Sequence, residues 1–130
     1  MIVTTPTLHC FVTGASEGPS PLNAFDGALL NAGIGNTNVV KMSSIVPPRT
    51  REITVQELEL PPGALVPVAY AAMQSDIPGS IICAAVAAAW SDNESHPGLI
   101  MEYHAHGHRE DAERGPEQGP APGSVRCKTA

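Results

Sequence analysis

Read for its apolar positions, the chain is a series of short strand-like runs with one amphipathic helical stretch among them. Leu8 to Thr13 is rich in strand formers and stops at Gly14, which predicts a first strand feeding the loop G-A-S-E-G-P-S-P. From residue 20 the period changes, and Leu22, Phe25 and Leu29 recur at helical spacing. Ser20 suits the N-cap, Pro21 the first helical position and Gly33 the residue beyond the end, so a helix is predicted here. Asp26 falls on or beside its apolar face, where a carboxylate is costly unless a partner meets it.

G-I-G-N-T-N (33–38) then reads as a shaped turn, since Gly and Asn tolerate positive φ. Val39 to Ile45 forms a strand that ends at two adjacent serines, Ser43 and Ser44, and is broken by Pro47 and Pro48. A polar connection follows, with I-T-V (53–55) as a short strand. Two apolar stretches, Leu65 to Gln74 and Ser80 to Trp90, are joined by S-D-I-P-G. The alanine-rich second stretch could equally be a buried helix by periodicity, but the turn signal and the Ile, Cys and Val content favour a hairpin. Pro67 is expected at an edge or bulge. Leu99 to His106 is a further strand. Past His108 the segment 115–123 is dominated by Gly and Pro and no apolar period returns, so residues 1–108 are expected to form the domain and 109–130 a disordered or diverged tail.

At 130 residues the chain suits one compact domain. Only 4% of residues are aromatic against 42% hydrophobic, so the core must be built from Val, Ile, Leu and alanine, with close packing of elements or of subunits. A formal charge of −6, without any sizeable Lys/Arg cluster, argues against a nucleic-acid partner. Cys10, Cys83 and Cys127 show neither paired spacing nor a C-x-x-C pattern, which suits buried thiols in a reducing cytoplasm. The start of the chain lacks a basic segment followed by an apolar stretch, and no run is long enough to span a membrane, so a soluble cytoplasmic protein is expected. The first loop lacks the Lys-Ser/Thr of a phosphate loop and the full glycine fingerprint of a dinucleotide site.

The serine pair carries the chemistry. A serine hydroxyl needs a base, a metal or strain to act as a nucleophile, and neither a G-x-S-x-G elbow nor a Ser-His-Asp order surrounds these two. An adjacent pair at a turn suits another reaction. In it the Ser44 hydroxyl can attack the carbonyl of Ser43, moving the acyl group from nitrogen to oxygen, and a distorted peptide would lower that barrier, although an adjacent serine pair by itself is usually structural. The oxyanion needs a fixed donor, for which the amide of Asn38 is the candidate. β-Elimination then releases the N-terminal piece and leaves dehydroalanine, which hydrolyses to a pyruvoyl group ahead of Ile45.

The stretch N-V-V-K-M-S-S-I running into Pro47-Pro48, the upstream N-A-F-D-G-A-L-L-N-A-G-I-G-N-T-N and the downstream L-I-M-E-Y (99–103) together resemble the self-cleaving pyruvoyl-dependent arginine decarboxylases, over roughly residues 14 to 103. The resemblance implies an α/β layered sandwich of αββα type, with an antiparallel sheet core and outer helices, cut into two chains between Ser43 and Ser44. It implies a covalent pyruvoyl cofactor derived from Ser44, and decarboxylation of arginine to agmatine through a Schiff base, as in polyamine biosynthesis. Its processing asparagine falls on Asn38, its catalytic glutamate on Glu102 and its substrate-lining positions on Asp26, Leu29 and Ile45. Glu102 would return a proton to the α-carbon, its charged form disfavoured by Leu99, Ile100 and Met101. Homotrimers, singly or paired into hexamers, with active sites between subunits are implied as well. The family normally continues past this point with a helix and a strand, so the chain reads as truncated or diverged. Decarboxylation of another amino acid, and a non-catalytic structural or regulatory relative, are the alternatives. Glu102, His104, His106 and His108 share one strand face, a run that can bind a transition metal, but its place where order fades favours solvated histidines and no metal is predicted.

Overall fold

A computed structural model of the chain describes residues 4–107 and 125–126. Among these residues the architecture is mixed α/β: one α-helix, a four-stranded antiparallel sheet and two parallel strand pairs.

The helix α1 spans Pro21–Asn31, and its start is the one its residues dictate. The Ser20 hydroxyl accepts the Asn23 N–H at 3.2 Å and Pro21 stands at the first helical position. At the other end Gly33 takes φ +82°, a left-handed conformation that costs glycine little. Asn36, at φ +61°, completes the turn expected of this segment. Leu22 does not join a buried face as its spacing predicts; it is 76% exposed, and no residue of α1 is fully buried. Gly14 lets the first loop lie against the helix, because a Cβ there would run into the Ala28 carbonyl.

The first strand is shorter than expected. β1 is Leu8–His9 and pairs in parallel with β4, Arg51–Glu52, while Val55–Glu57 forms a 3₁₀ turn where a strand over 53–55 was expected. Capping explains the difference: Glu57 Oε2 accepts from the Thr54 N–H at 2.8 Å and from its hydroxyl at 3.0 Å, closing the turn on itself.

The strand expected over residues 39–45 is two strands in two sheets. β2, Asn38–Lys41, pairs in parallel with β5, Leu65–Val68. β3, Ile45–Val46, pairs antiparallel with β7, Gly98–His106, and β7 pairs in turn with β6, Ile82–Ala89. The expected hairpin between the two apolar stretches is therefore absent: both contain strands, but β5 takes β2 and β6 takes β7. Pro67 sits in a two-stranded sheet, where every strand is an edge. Asn38 and Met42 donate to the carbonyls of Ala64 and Val68, so the even positions of β5 face the ladder and the missing N–H of Pro67 points away from it.

Within the segment expected to lack structure, Val125–Arg126 form β8, antiparallel to Ala88 and Ala89 of β6; the rest of 109–130 and His108 lie outside the described residues. Among the described residues the fully buried apolar side chains are Ala32, Val46, Ile53 and Ala88, the last with no exposed area. Large side chains on the strands around Ser44, including Ile45, Leu99 and Met101, remain exposed.

Candidate active site

Ser43 and Ser44 occupy the gap where the backbone leaves one sheet and enters the other. The last rung of the β2–β5 ladder is the Met42 N–H donating to Val68 O at 2.8 Å, and the first contact with the antiparallel sheet is the Ile100 N–H donating to Ser44 O at 2.8 Å. With both flanks held, the two serines must absorb the change of direction. Ser44 does so at φ +64°, a left-handed conformation that costs a non-glycine residue on the order of 1–3 kcal/mol. Ser43 is exposed and Ser44 half-buried.

The turn delivers the Ser44 hydroxyl to the middle of β7. Its Oγ donates to Glu102 Oε1 at 2.9 Å, and the other carboxylate oxygen, Oε2, lies 3.3 Å from Lys41 Nζ. Glu102 is paired with Val86 across the central strands of the larger sheet and its side chain is 22% exposed. The expected apolar setting for Glu102 is only partly formed. Successive strand residues face opposite sides, so Leu99 and Met101 point away from it and the ammonium of Lys41 stands beside it instead. Lys41 Nζ also lies 4.8 Å from the centroid of the Tyr70 ring, which contacts Phe25 of α1 at 5.9 Å between centroids.

The chain matches the family model for pyruvoyl-dependent arginine decarboxylase over residues 8–119. It belongs to that family. A pyruvoyl-dependent arginine decarboxylase of Methanocaldococcus jannaschii is 50% identical over 109 residues, covering 84% of this chain and 65% of the relative. Those of Pyrococcus abyssi and Methanococcus aeolicus are each 44% identical, covering 85% and 83% of this chain and 69% and 64% of theirs. The chain thus spans about two thirds of the length of the curated relatives it matches.

Of the residues that the family resemblance singles out, the fold brings Ser44 and Glu102 together and leaves Asn38 and Asp26 apart from them. Asn38 opens β2, and its Nδ2 donates to Gly63 O at 2.9 Å. Asp26 is exposed on α1, and its carboxylate makes no hydrogen bond or ion pair among the described residues. Leu29 is half-buried, and Ile45 is exposed beside Ser44 in register with Leu99. Leu29, Phe25 and Tyr70 line an open cleft of about 1220 Å³ between α1 and the segment after β5, and neither Ser44 nor Glu102 lines it. The reactive pair and the cleft are separate features of one chain. His104 and His106 follow Glu102 along β7, and no group of three metal-ligating side chains gathers among the described residues. No helix there is long and apolar enough to cross a membrane.

Lys41 and Tyr70 escaped the reading of the sequence. Their only signal is a lysine at the end of a β-branched run and one of the two tyrosines in the chain. Nothing in spacing says that they meet.

Proposed function

We propose that the chain is a self-processing pyruvoyl-dependent amino-acid decarboxylase that converts arginine to agmatine and carbon dioxide. The observation that carries this reading is the Ser44 hydroxyl donating to Glu102 from a left-handed backbone, at the position where the family cuts. Strain and an acceptor for the hydroxyl proton are two of the things a serine nucleophile needs.

In the cleavage step the Ser44 Oγ bonds to the Ser43 carbonyl carbon. Its proton passes through Glu102 to the nitrogen of residue 44, and the peptide C–N bond breaks to give an ester. Loss of the residue-44 Cα proton to a base then expels the Ser43 carboxylate from Cβ. The dehydroalanine left behind takes up water and releases ammonia, leaving a pyruvoyl group ahead of Ile45. The Ile100 N–H, which donates to the Ser44 carbonyl, would help to hold that group.

The pyruvoyl carbonyl supplies an electron sink for the substrate amine. Glu102 is then placed to hold a proton for the α-carbon, Ile45 to wall the site, and Asp26 with Leu29 to receive the guanidinium end. Neither Asn38 nor Asp26 bonds to Ser44 within one chain, so Asn38 serves the serine, and Asp26 the substrate, of a neighbouring copy, in a homotrimer or a pair of trimers. Exposed Ile45, Leu99 and Met101 suit burial in such an assembly. The complete fold is then the layered αββα sandwich of the family, and the setting is the cytoplasm.

Intact mass of the purified protein tests the reading. A 1–43 fragment and a partner beginning at residue 44 with a blocked N-terminus are expected, and Ser44→Ala should leave one uncut chain. A parent chain that stays uncut after long incubation overturns it.

A further inference from the structure

We propose that Lys41 is a positioning residue for Glu102: its ammonium, seated on the Tyr70 ring, holds Oε2 so that Oε1 stays on the hydroxyl of Ser44. This rests on the reading of Ser44 and Glu102 as the reactive pair.

The two carboxylate oxygens have different partners, Ser44 Oγ at 2.9 Å on Oε1 and Lys41 Nζ at 3.3 Å on Oε2. A carboxylate held at one oxygen alone can swing about its last torsion, which for Glu is broad. Held at both, its plane is set by two elements, the end of β2 and the middle of β7. Stability is a poor reason for the pair, because Lys41 is 56% exposed and exposed ion pairs contribute little. The lysine is nevertheless restrained: the aromatic face at 4.8 Å gives the cation a second anchor, and the Met42 N–H bond to Val68 O fixes the backbone one residue on. Lys41 thus spans the two sheets at the point where the serine pair crosses between them. It touches neither the nucleophile nor the scissile bond, so it acts through Glu102. The same placement serves both steps assigned to Glu102, the passage of the Ser44 proton during cleavage and the holding of a proton for the α-carbon afterwards.

The test compares the parent chain with Lys41→Met, which keeps most of the length and removes the charge, and Lys41→Arg, which keeps the charge and a cation for the ring. Two quantities are read: the rate at which the 1–43 fragment appears from freshly made chain, and kcat and KM of the cleaved product with arginine. Lys41→Met should slow cleavage by roughly 10- to 100-fold, the scale of a misplaced catalytic group, and lower kcat with KM within about 2-fold. Lys41→Arg should recover most of both rates. Circular dichroism of each variant checks the fold. If Lys41→Met cleaves and turns over like the parent, Lys41 does not position Glu102. A rise in KM at unchanged kcat makes it a substrate contact and also overturns the proposal, as does a folded Lys41→Arg as slow as Lys41→Met. A parent that does not cleave fails differently, since it removes the reading of Ser44 itself and the inference with it.

Discussion

Asn38→Ala and Ser44→Ala chains, each deficient in cleavage, should rescue one another when they assemble together. The reason is distance. Five residues of nearly extended backbone separate Asn38 from Ser43, and at about 3.3 Å per residue their Cα atoms lie roughly 16 Å apart. An asparagine amide reaches about 4 Å from its own Cα, the Ser43 carbonyl oxygen lies about 2.4 Å from its Cα, and a hydrogen bond adds about 3 Å, so the side chain falls short by roughly 7 Å. Its Nδ2 is moreover engaged by Gly63 O at 2.9 Å. If Asn38 stabilises the oxyanion at Ser43, the serine belongs to another copy. Loss of one such donor costs on the order of 10²- to 10³-fold, so Asn38→Ala alone should cleave slowly and Ser44→Ala not at all. In cyclic trimers formed from equal amounts of the two and isolated through both tags, a chain that retains Ser44 meets an intact Asn38 on its donating side about two thirds of the time. Roughly two thirds of the Ser44-bearing chains should then cleave at a rate near the parent's. The two chains carry different tags, are co-expressed and isolated through both, and are followed by intact mass. A time course with only the slow phase of Asn38→Ala would refute the reasoning, and an Asn38→Ala chain that cleaves at the parent rate would remove Asn38 from the reaction.

Asp26→Asn keeps shape and removes charge, so arginine binding should weaken by about 10- to 100-fold, or roughly 1.5–3 kcal/mol as for hydrogen bonds to charged groups, while cleavage at Ser43/Ser44 persists. Carbon dioxide release from arginine and from citrulline, in parent and variant, measures this; an unchanged preference would place the guanidinium elsewhere. Glu57 has its carboxyl below the usual range, first through the Thr54 N–H and then the Thr54 hydroxyl. A depressed folded value contributes stability that is present above the unfolded value near 4.5 and is lost as pH falls through the folded one. Glu57→Gln should therefore lower the melting temperature at neutral pH and converge with the parent in acid; equal melting curves at pH 7 would show that the cap contributes nothing.

The local decisions were legible in the chain itself. Ser20 and Pro21 start α1 and Gly33 follows its end because capping and a left-handed φ are properties of single residues. The serine pair stood out for a similar reason, since two hydroxyls followed by two prolines fit no simple strand. Family membership too was written in contiguous motifs, 23–38, 38–48 and 99–103.

Partners were not legible. The turn signal and residue types favoured strands within 65–74 and 80–90 where periodicity left a buried helix open, but pairing is settled by which edges lie open when the chain collapses, and β2 and β7 took the strands in place of each other. The same limit hid the site's electrostatics. Leu99 and Met101 adjoin Glu102 in sequence yet face away from it, whereas Lys41, sixty-one residues upstream, stands at its carboxylate. An alternating strand separates neighbours, and a junction between sheets brings strangers together. Residue types and local backbone therefore determined which groups could react, and only the tertiary structure decided that Ser44, Glu102, Lys41 and Tyr70 meet, because contact across sheets depends on strand register and has no counterpart in spacing along the chain.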